Sequence, residues 1–168
     1  MRNKYIIAGL AAFLVFALGF AIKWMVEKAH SDRLQFDFAS KLAELGVTEG
    51  PVEYAHLVPF DWDELMYLGP YSNAKEDAII AGVIFPQGVR NSGMESRDDR
   101  GILIFAKKKK CVGWSIVPNS QLIIRFAGSP LPQSRAESRV AIAPESGWNS
   151  PVARFAPESI QAAQRRRN

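Results

Sequence analysis

Cysteine is nearly absent from this chain. Cys111 stands alone among 168 residues, so no intrachain disulfide can form and no Cys-x-x-Cys metal cluster exists. Histidine is almost as scarce: with only His30 and His56, a histidine-based zinc site is not expected, and no cofactor is implied. No Gly-x-Ser-x-Gly elbow offers an activated serine. A basic body is also lacking. The formal net charge is +4, yet Arg2, Lys4, Lys23 and Lys28 flank an apolar segment, and Arg165, Arg166 and Arg167 form a terminal run. Residues 30–164 hold 14 Lys and Arg against 16 Asp and Glu. Nucleic-acid recognition needs its cations on the folded body, so no nucleic-acid partner is expected.

What the chain does have is one long apolar run. From Tyr5 to Ile22 it reads YIIAGLAAFLVFALGFAI, 18 residues without a charge. As a helix this spans roughly 27 Å, close to the ~30 Å hydrocarbon core of a bilayer. Trp24 falls where an interfacial aromatic would sit. The expectation is a single transmembrane helix with the lipid bilayer as its partner. A cleaved signal peptide is the competing reading, because Ala17-Leu18-Gly19 and Gly19-Phe20-Ala21 are small-x-small triplets. A short basic tail before a long domain leaves the tail inside and exports the domain. The expectation is a single-pass chain with its C-terminal domain exported.

Beyond the run, Leu34, Phe38, Leu42 and Leu45 recur on one face of a helix over residues 31–45, stopped by Gly46. Its default role is to dock on the domain; a self-association seam, and so a homo-oligomer, is the alternative. Residues 52–58 and 62–68 read as strands, the second rich in aromatics and ended by Gly69-Pro70-Tyr71. Asn73 with Glu76 makes a capping box for a helix over 74–81, which Gly82 closes. Residues 83–85 extend it, and 86–100 read as a mobile loop. Residues 101–106, 111–117 and 121–127 form an antiparallel meander, with Val112, Trp114 and Ile116 on one face of the second strand and Leu122, Ile124 and Phe126 on one face of the third. A Pro- and Ser-rich linker over 128–137 leads to a fourth strand over 138–143. A turn at Gly147-Trp148-Asn149 and a short helix over 157–164 complete the chain. The expected class is α+β: an N-terminal transmembrane helix, then a small domain with an antiparallel meander sheet packed on one or two helices. Its divisions are an anchor (1–28), a stalk or docking helix (29–46), the α+β domain (47–156), and a short helix with a basic tail (157–168).

The stretch FDWDELMYLGPYSNAKEDAIIAG, residues 60–82, followed by GILIFAKKKKCVGWSIV, resembles a group of small exported or membrane-tethered bacterial proteins of unknown function. Trp62, Asp63, Pro70 and Tyr71 match that pattern of an aromatic-Trp-Asp strand and a Gly-Pro-Tyr turn. The likeness covers roughly residues 55 to 127. The four lysines in the hairpin turn depart from it, since that turn is shorter in the pattern. The resemblance implies a small α+β domain outside the cytoplasmic membrane and no enzymatic activity; with the anchor, that gives a single-pass chain of a bacterial inner membrane with a periplasmic C-terminal domain. Some proteins of this build serve as immunity or accessory proteins.

Candidate chemistry is sparse. Asp61, Asp63 and Glu64 are a dense carboxylate group that could serve as acid and base; a strand-edge cap is the plainer role. His56 with Cys111 could form a nucleophilic pair, although a structural histidine and a semi-buried thiol are the defaults. Lys107, Lys108, Lys109 and Lys110 form a hairpin tip, either simply solvated or in contact with an acidic partner or anionic headgroups. Trp62, Tyr67 and Tyr71 fit core and turn packing, while Trp148 is the aromatic expected at the surface. The binding residues expected are therefore Trp62, Asp63, Tyr67, Tyr71, Lys107–Lys110 and Trp148. The expected function is non-enzymatic: a membrane-anchored domain that binds a protein partner, with an immunity protein of a secreted toxin as one version. The alternatives are a bitopic structural subunit of an envelope complex, and an envelope hydrolase using Asp61 and Asp63.

Overall fold

The computed structural model describes residues 2–126 and 132–155, with side chains described from residue 13 onward except that of Glu137. The expected helix over 157–164 and the arginine run lie outside the described residues. Among the described residues the chain is a mixed α+β structure with two four-stranded sheets.

Helix α1, Arg2–Leu34, is a single helix of 33 residues. It carries the apolar run, whose residues 5–12 have side chains outside the description. Among the described residues no helix is long and apolar enough to cross a membrane, so the structure does not itself support the expected transmembrane helix.

The helix expected over 31–45 is two helices. α1 ends at Leu34, and α2, Phe38–Glu44, begins anew with Asp37 as its cap, the carboxylate accepting from Ser40 N at 2.9 Å. The chain between them is extended and lies along the edge of strand β4, Lys110–Pro118. Gln35 bridges Trp114 in parallel, and Phe36 N–H donates to the Trp114 carbonyl at 3.0 Å. Tertiary hydrogen bonds to a bare sheet edge here outweigh the local helix pattern.

The first sheet has the order β4-β3-β2-β6, with β2 Glu64–Leu68, β3 Arg100–Lys107 and β6 Gln133–Ser134. All its pairings are antiparallel. Strand β2 starts two residues later than expected, which leaves Trp62 and Asp63 in the approach to it. Residues 101–106 of β3 are buried without exception, which explains their unbroken apolar character: the sheet is covered on both faces.

One face packs against the second sheet, of order β1-β7-β8-β5, with β1 Val52–Glu53, β5 Ile123–Phe126, β7 Arg139–Ala143 and β8 Val152–Phe155. Between the sheets lie Phe38 and Leu42 of α2, Tyr54, Trp62, Leu65, Phe105, Ile142 and Phe155. The strand expected over 52–58 is thus only Val52–Glu53, followed by a 3-10 turn at Ala55–Leu57. The expected third meander strand, β5, is not in the meander. It pairs parallel to β8 in the other sheet, though Leu122, Ile124 and Phe126 do share the expected core face.

The other face of the first sheet is covered by α3, Ala74–Ala81, by α4, Gln87–Arg90, and by the end of α1. Helix α3 has the expected span and ends: Asn73 Oδ1 accepts from Lys75 N and Glu76 N, and Gly82 closes the helix at φ 64°; of the expected capping box, the Asn73 half is formed. The expected loop over 86–100 is instead ordered by α4 and a 3-10 turn at Met94–Ser96, with Val89 and Met94 fully buried. A β-bulge between Phe105 and Ala106 opposes Phe105 to Gly113 and Ala106 to Cys111. Val112 is the extra residue, so it turns to the inter-sheet core while Trp114 and Ile116 pack under the helices.

Candidate functional site

The two ends of the first sheet differ in character. At one end the β3–β4 hairpin turns through Lys108 and Lys109, both at positive φ (48° and 63°), the backbone of a tight hairpin turn. The expected carboxylate cluster meets this tip. Asp61 pairs with Lys107 and, at 2.7 Å, with Arg135. Asp63 Oδ2 accepts Lys108 N at 2.9 Å, and Glu64 pairs with Lys109 at 2.6 Å. The hydrogen bond and charge of Lys107, with Arg135 behind, hold the Asp61 carboxyl below its usual range, and Asp61 raises Lys107 in turn. Both groups are exposed. Two features that looked separate in the sequence, an acidic cluster and a lysine tip, are therefore one ion-pair network that ties the approach to β2 onto the hairpin. Lys108 and Lys110 have no acidic partner among the described residues.

Cys111 and His56 are not brought together. His56 is exposed on the 3-10 turn. Cys111 is half-buried beside Ile84 and Phe85, and its burial pushes the thiol up to about 12. A thiol so raised is a poor nucleophile at neutral pH.

The aromatic candidates separate by burial. Trp62 is enclosed, its indole edge-on to Phe105 at 5.3 Å and parallel to Tyr54 at 6.0 Å. Tyr67 is buried near Phe126, and desolvation raises its phenol to about 12. Trp148 is half-exposed in its expected turn, with the Arg125 guanidinium 5.6 Å from the ring centre.

Tyr71 is different. It is 65% exposed and stands at φ 62°. Ser72 N–H donates back to the Gly69 carbonyl at 3.2 Å, so Gly69–Ser72 is a β-turn with Pro70 second and Tyr71 third, the third position of a type II turn being one where glycine is preferred. The turn is pinned by Tyr71 N–H donating to the Arg97 carbonyl at 3.0 Å. Beside it Asp99 pairs with Arg100 at 2.6 Å and Arg97 at 3.6 Å. This is the end of the first sheet opposite the lysine tip. The sequence pointed to Tyr71 as turn packing; its exposure was not legible, because Gly-Pro-Tyr reads as a turn whichever way the ring points.

A third feature is a groove of about 310 Å³ where α1 meets the domain. Glu27, His30 and Leu34 of α1 form one wall, and Ile84, Arg90, Lys110 and Cys111 contribute to the other. Next to it Ser31 ties α1 to the domain: its hydroxyl accepts Gly88 N–H at 2.8 Å and its carbonyl accepts Trp114 Nε1–H at 3.1 Å. Among the described residues no group of three or more His, Cys, Asp and Glu is arranged to hold a metal ion. Compared with protein-family models, with curated proteins and with solved structures, this chain gives no match.

Proposed function

We propose that this protein is a single-pass membrane-tethered binding module that holds a protein partner through the exposed turn at Tyr71. The observation that carries the reading is Tyr71 itself. A bulky aromatic at positive φ costs about 1–2 kcal/mol relative to a residue free of that strain, and strained, exposed positions of this kind cluster at binding surfaces. An exposed aromatic flanked by arginines also has the composition of interface anchors.

Tethering is supported by α1. From Phe13 to Ile22 its large apolar side chains are each more than half exposed. Among the described residues nothing covers this stretch, and a helix apolar all round calls for a non-aqueous partner. Together with the uncharged run from Tyr5, this favours a membrane anchor. In this reading the anchor sits in a bacterial inner membrane and the domain lies in the periplasm.

A binding role is favoured over an envelope hydrolase because the carboxylates a hydrolase would use are occupied by the lysine tip. The partner of an immunity protein, a secreted toxin, is one concrete version. A bitopic subunit of an envelope complex is the second reading, in which α1 rather than the Tyr71 turn makes the contact. Photo-crosslinking tests the choice: benzoylphenylalanine placed at Tyr71 of the full chain in membranes should yield a discrete adduct. No adduct there, with one formed from a probe on α1 at Phe16, would favour the structural subunit.

A further inference from the structure

Helix α1 and strand β4 run side by side in the same direction. Glu27 and His30 line the groove with Lys110 and Cys111 at the start of β4. One turn on, Ser31 meets Trp114, and Gln35 joins Trp114 in a parallel bridge. The chain therefore leaves the end of the apolar run at Ile22 and passes the lysine hairpin tip first. The Tyr71 end of the sheet comes last. Glu27 and His30 are five and eight residues past Ile22, roughly 7 and 12 Å along the helix. The headgroup layer of one leaflet is about 5–8 Å deep. The hairpin end of the domain therefore stands at the outer edge of the headgroups.

That end has the surface such a position calls for. Ile79, Ile80 and Ile84 are exposed by 80%, 58% and 66%, three isoleucines within six consecutive residues. Ile84 is held at the tip itself, its N–H donating to the Lys109 carbonyl and its carbonyl accepting Cys111 N–H. Around it, Arg90, Lys108 and Lys110 have no acidic partner among the described residues. Of the nearby acids, Glu27 and Asp32 are paired with Lys23 and Lys28 along α1, Asp61 with Lys107 and Arg135, and Glu64 with Lys109; Asp63 accepts the Lys108 backbone N–H, and Glu95 shares a separate groove with Arg90. Glu76 and Asp77 lie at the opposite end of α3 from the isoleucines. Apolar side chains ringed by unpaired cations match a bilayer surface with anionic headgroups.

We infer that the domain rests on the bilayer through this end, with Ile79, Ile80 and Ile84 in the headgroup layer and Arg90, Lys108 and Lys110 on anionic lipid, so that the Tyr71 turn is held facing away from the membrane. This rests on the anchored reading of α1 and adds an orientation to it. The partner site would then stand about 27 Å further out, the length of β4 at 3.3–3.4 Å per residue.

The test uses the full chain in vesicles, with an environment-sensitive fluorophore on Ile84→Cys in a Cys111→Ala background, and on Asp98→Cys as the distal control. In vesicles with one lipid in three anionic and the acyl chains brominated, the Ile84 label should be quenched and the Asp98 label unaffected. Triple charge reversal at Arg90, Lys108 and Lys110 should remove the quenching while the chain still floats with the vesicles. Flotation with an Ile84 label that stays unquenched overturns the inference and leaves the anchor standing; disulfide-linked dimers through Ile84→Cys would show that a second copy covers the patch instead. A chain that does not float with vesicles overturns the anchor and this inference together.

Discussion

Ser31 joins the long helix to the domain by accepting the backbone N–H of Gly88 at 2.8 Å. Ser31 is fully buried, and a Cβ added at Gly88 would stand 2.6 Å from its hydroxyl and 3.0 Å from the Trp114 ring. Ser31→Ala leaves the Gly88 N–H without its partner, a cost of about 1–3 kcal/mol. Gly88→Ala forces α4 away from α1. Both variants should lower the urea midpoint of the full chain in detergent and expose the 34–38 segment to protease. An unchanged cleavage pattern would mean that the junction does not set the orientation of the helix.

The Tyr71 turn separates stability from binding. Replacing Tyr71 by Gly removes the cost of positive φ, offset in part by the greater freedom of glycine in the unfolded chain. The net gain should be about 0.5–1 kcal/mol. The same variant should lose partner recovery from solubilised membranes. A more stable variant that still recovers its partner would place the contact elsewhere.

The hairpin tip allows a parallel test of backbone strain. Lys108 and Lys109 sit at φ 48° and 63°, where Asn-Gly is the favoured pair. Lys108→Asn with Lys109→Gly relieves that strain and keeps the backbone hydrogen bond from residue 108 to Asp63, but it removes the Lys109 partner of Glu64, whose side chain is only 23% exposed; the net gain should therefore be no more than about 0.5 kcal/mol. Thermal melts of the two chains settle this.

Acid unfolding should report the Asp61 network. The folded Asp61 carboxyl lies below its ordinary 3.8, so the unfolded chain binds the proton more readily. Its contribution is present above pH 3.8 and is lost as the pH falls through the lower folded value. Asp37 and Asp99, held down by Ser40 and Arg100, act in the same direction. Asp61→Asn should therefore flatten the stability profile below about pH 4 and spare its shape at neutral pH. A variant whose profile changes mainly above pH 5 would contradict the assignment.

Cys111 gives a probe of the same edge. With its thiol raised to about 12 by burial, it should react slowly with iodoacetamide at pH 8 in the folded chain and rapidly in urea. Rapid labelling of the native protein would mean that the groove beside α1 opens.

The legible parts of this fold are those with local causes. Helix α3 could be drawn from the sequence because Asn73 and Gly82 are its own caps, and the β3–β4 hairpin because two apolar strands flank a charged turn. The break between α1 and α2 was hidden: Leu34, Phe38 and Leu42 keep a helical spacing across it, yet Leu34 packs under the helices and Phe38 and Leu42 pack between the sheets. The cause is the Trp114 carbonyl, 78 residues from Phe36 in sequence. The alternation of Leu122, Ile124 and Phe126 gave the correct face of β5 but could not name its partner, because period two is the same whichever sheet a strand joins. The bulge at Val112 escaped for a related reason, one extra residue being enough to move it to the other face. At the candidate site, Asp61 and the lysine tip were each visible, whereas their pairing depends on the β2–β3 register.

The central claim is that this domain works tethered to a bilayer by the run from Tyr5 to Ile22. Alkaline extraction of membranes from cells expressing the full chain with a C-terminal tag tests it most directly, read by intact mass. The expected result is retention in the membrane pellet at the full-length mass. Release into the supernatant, or a chain shortened near the small-residue triplets at Gly19 and Ala21, would contradict it.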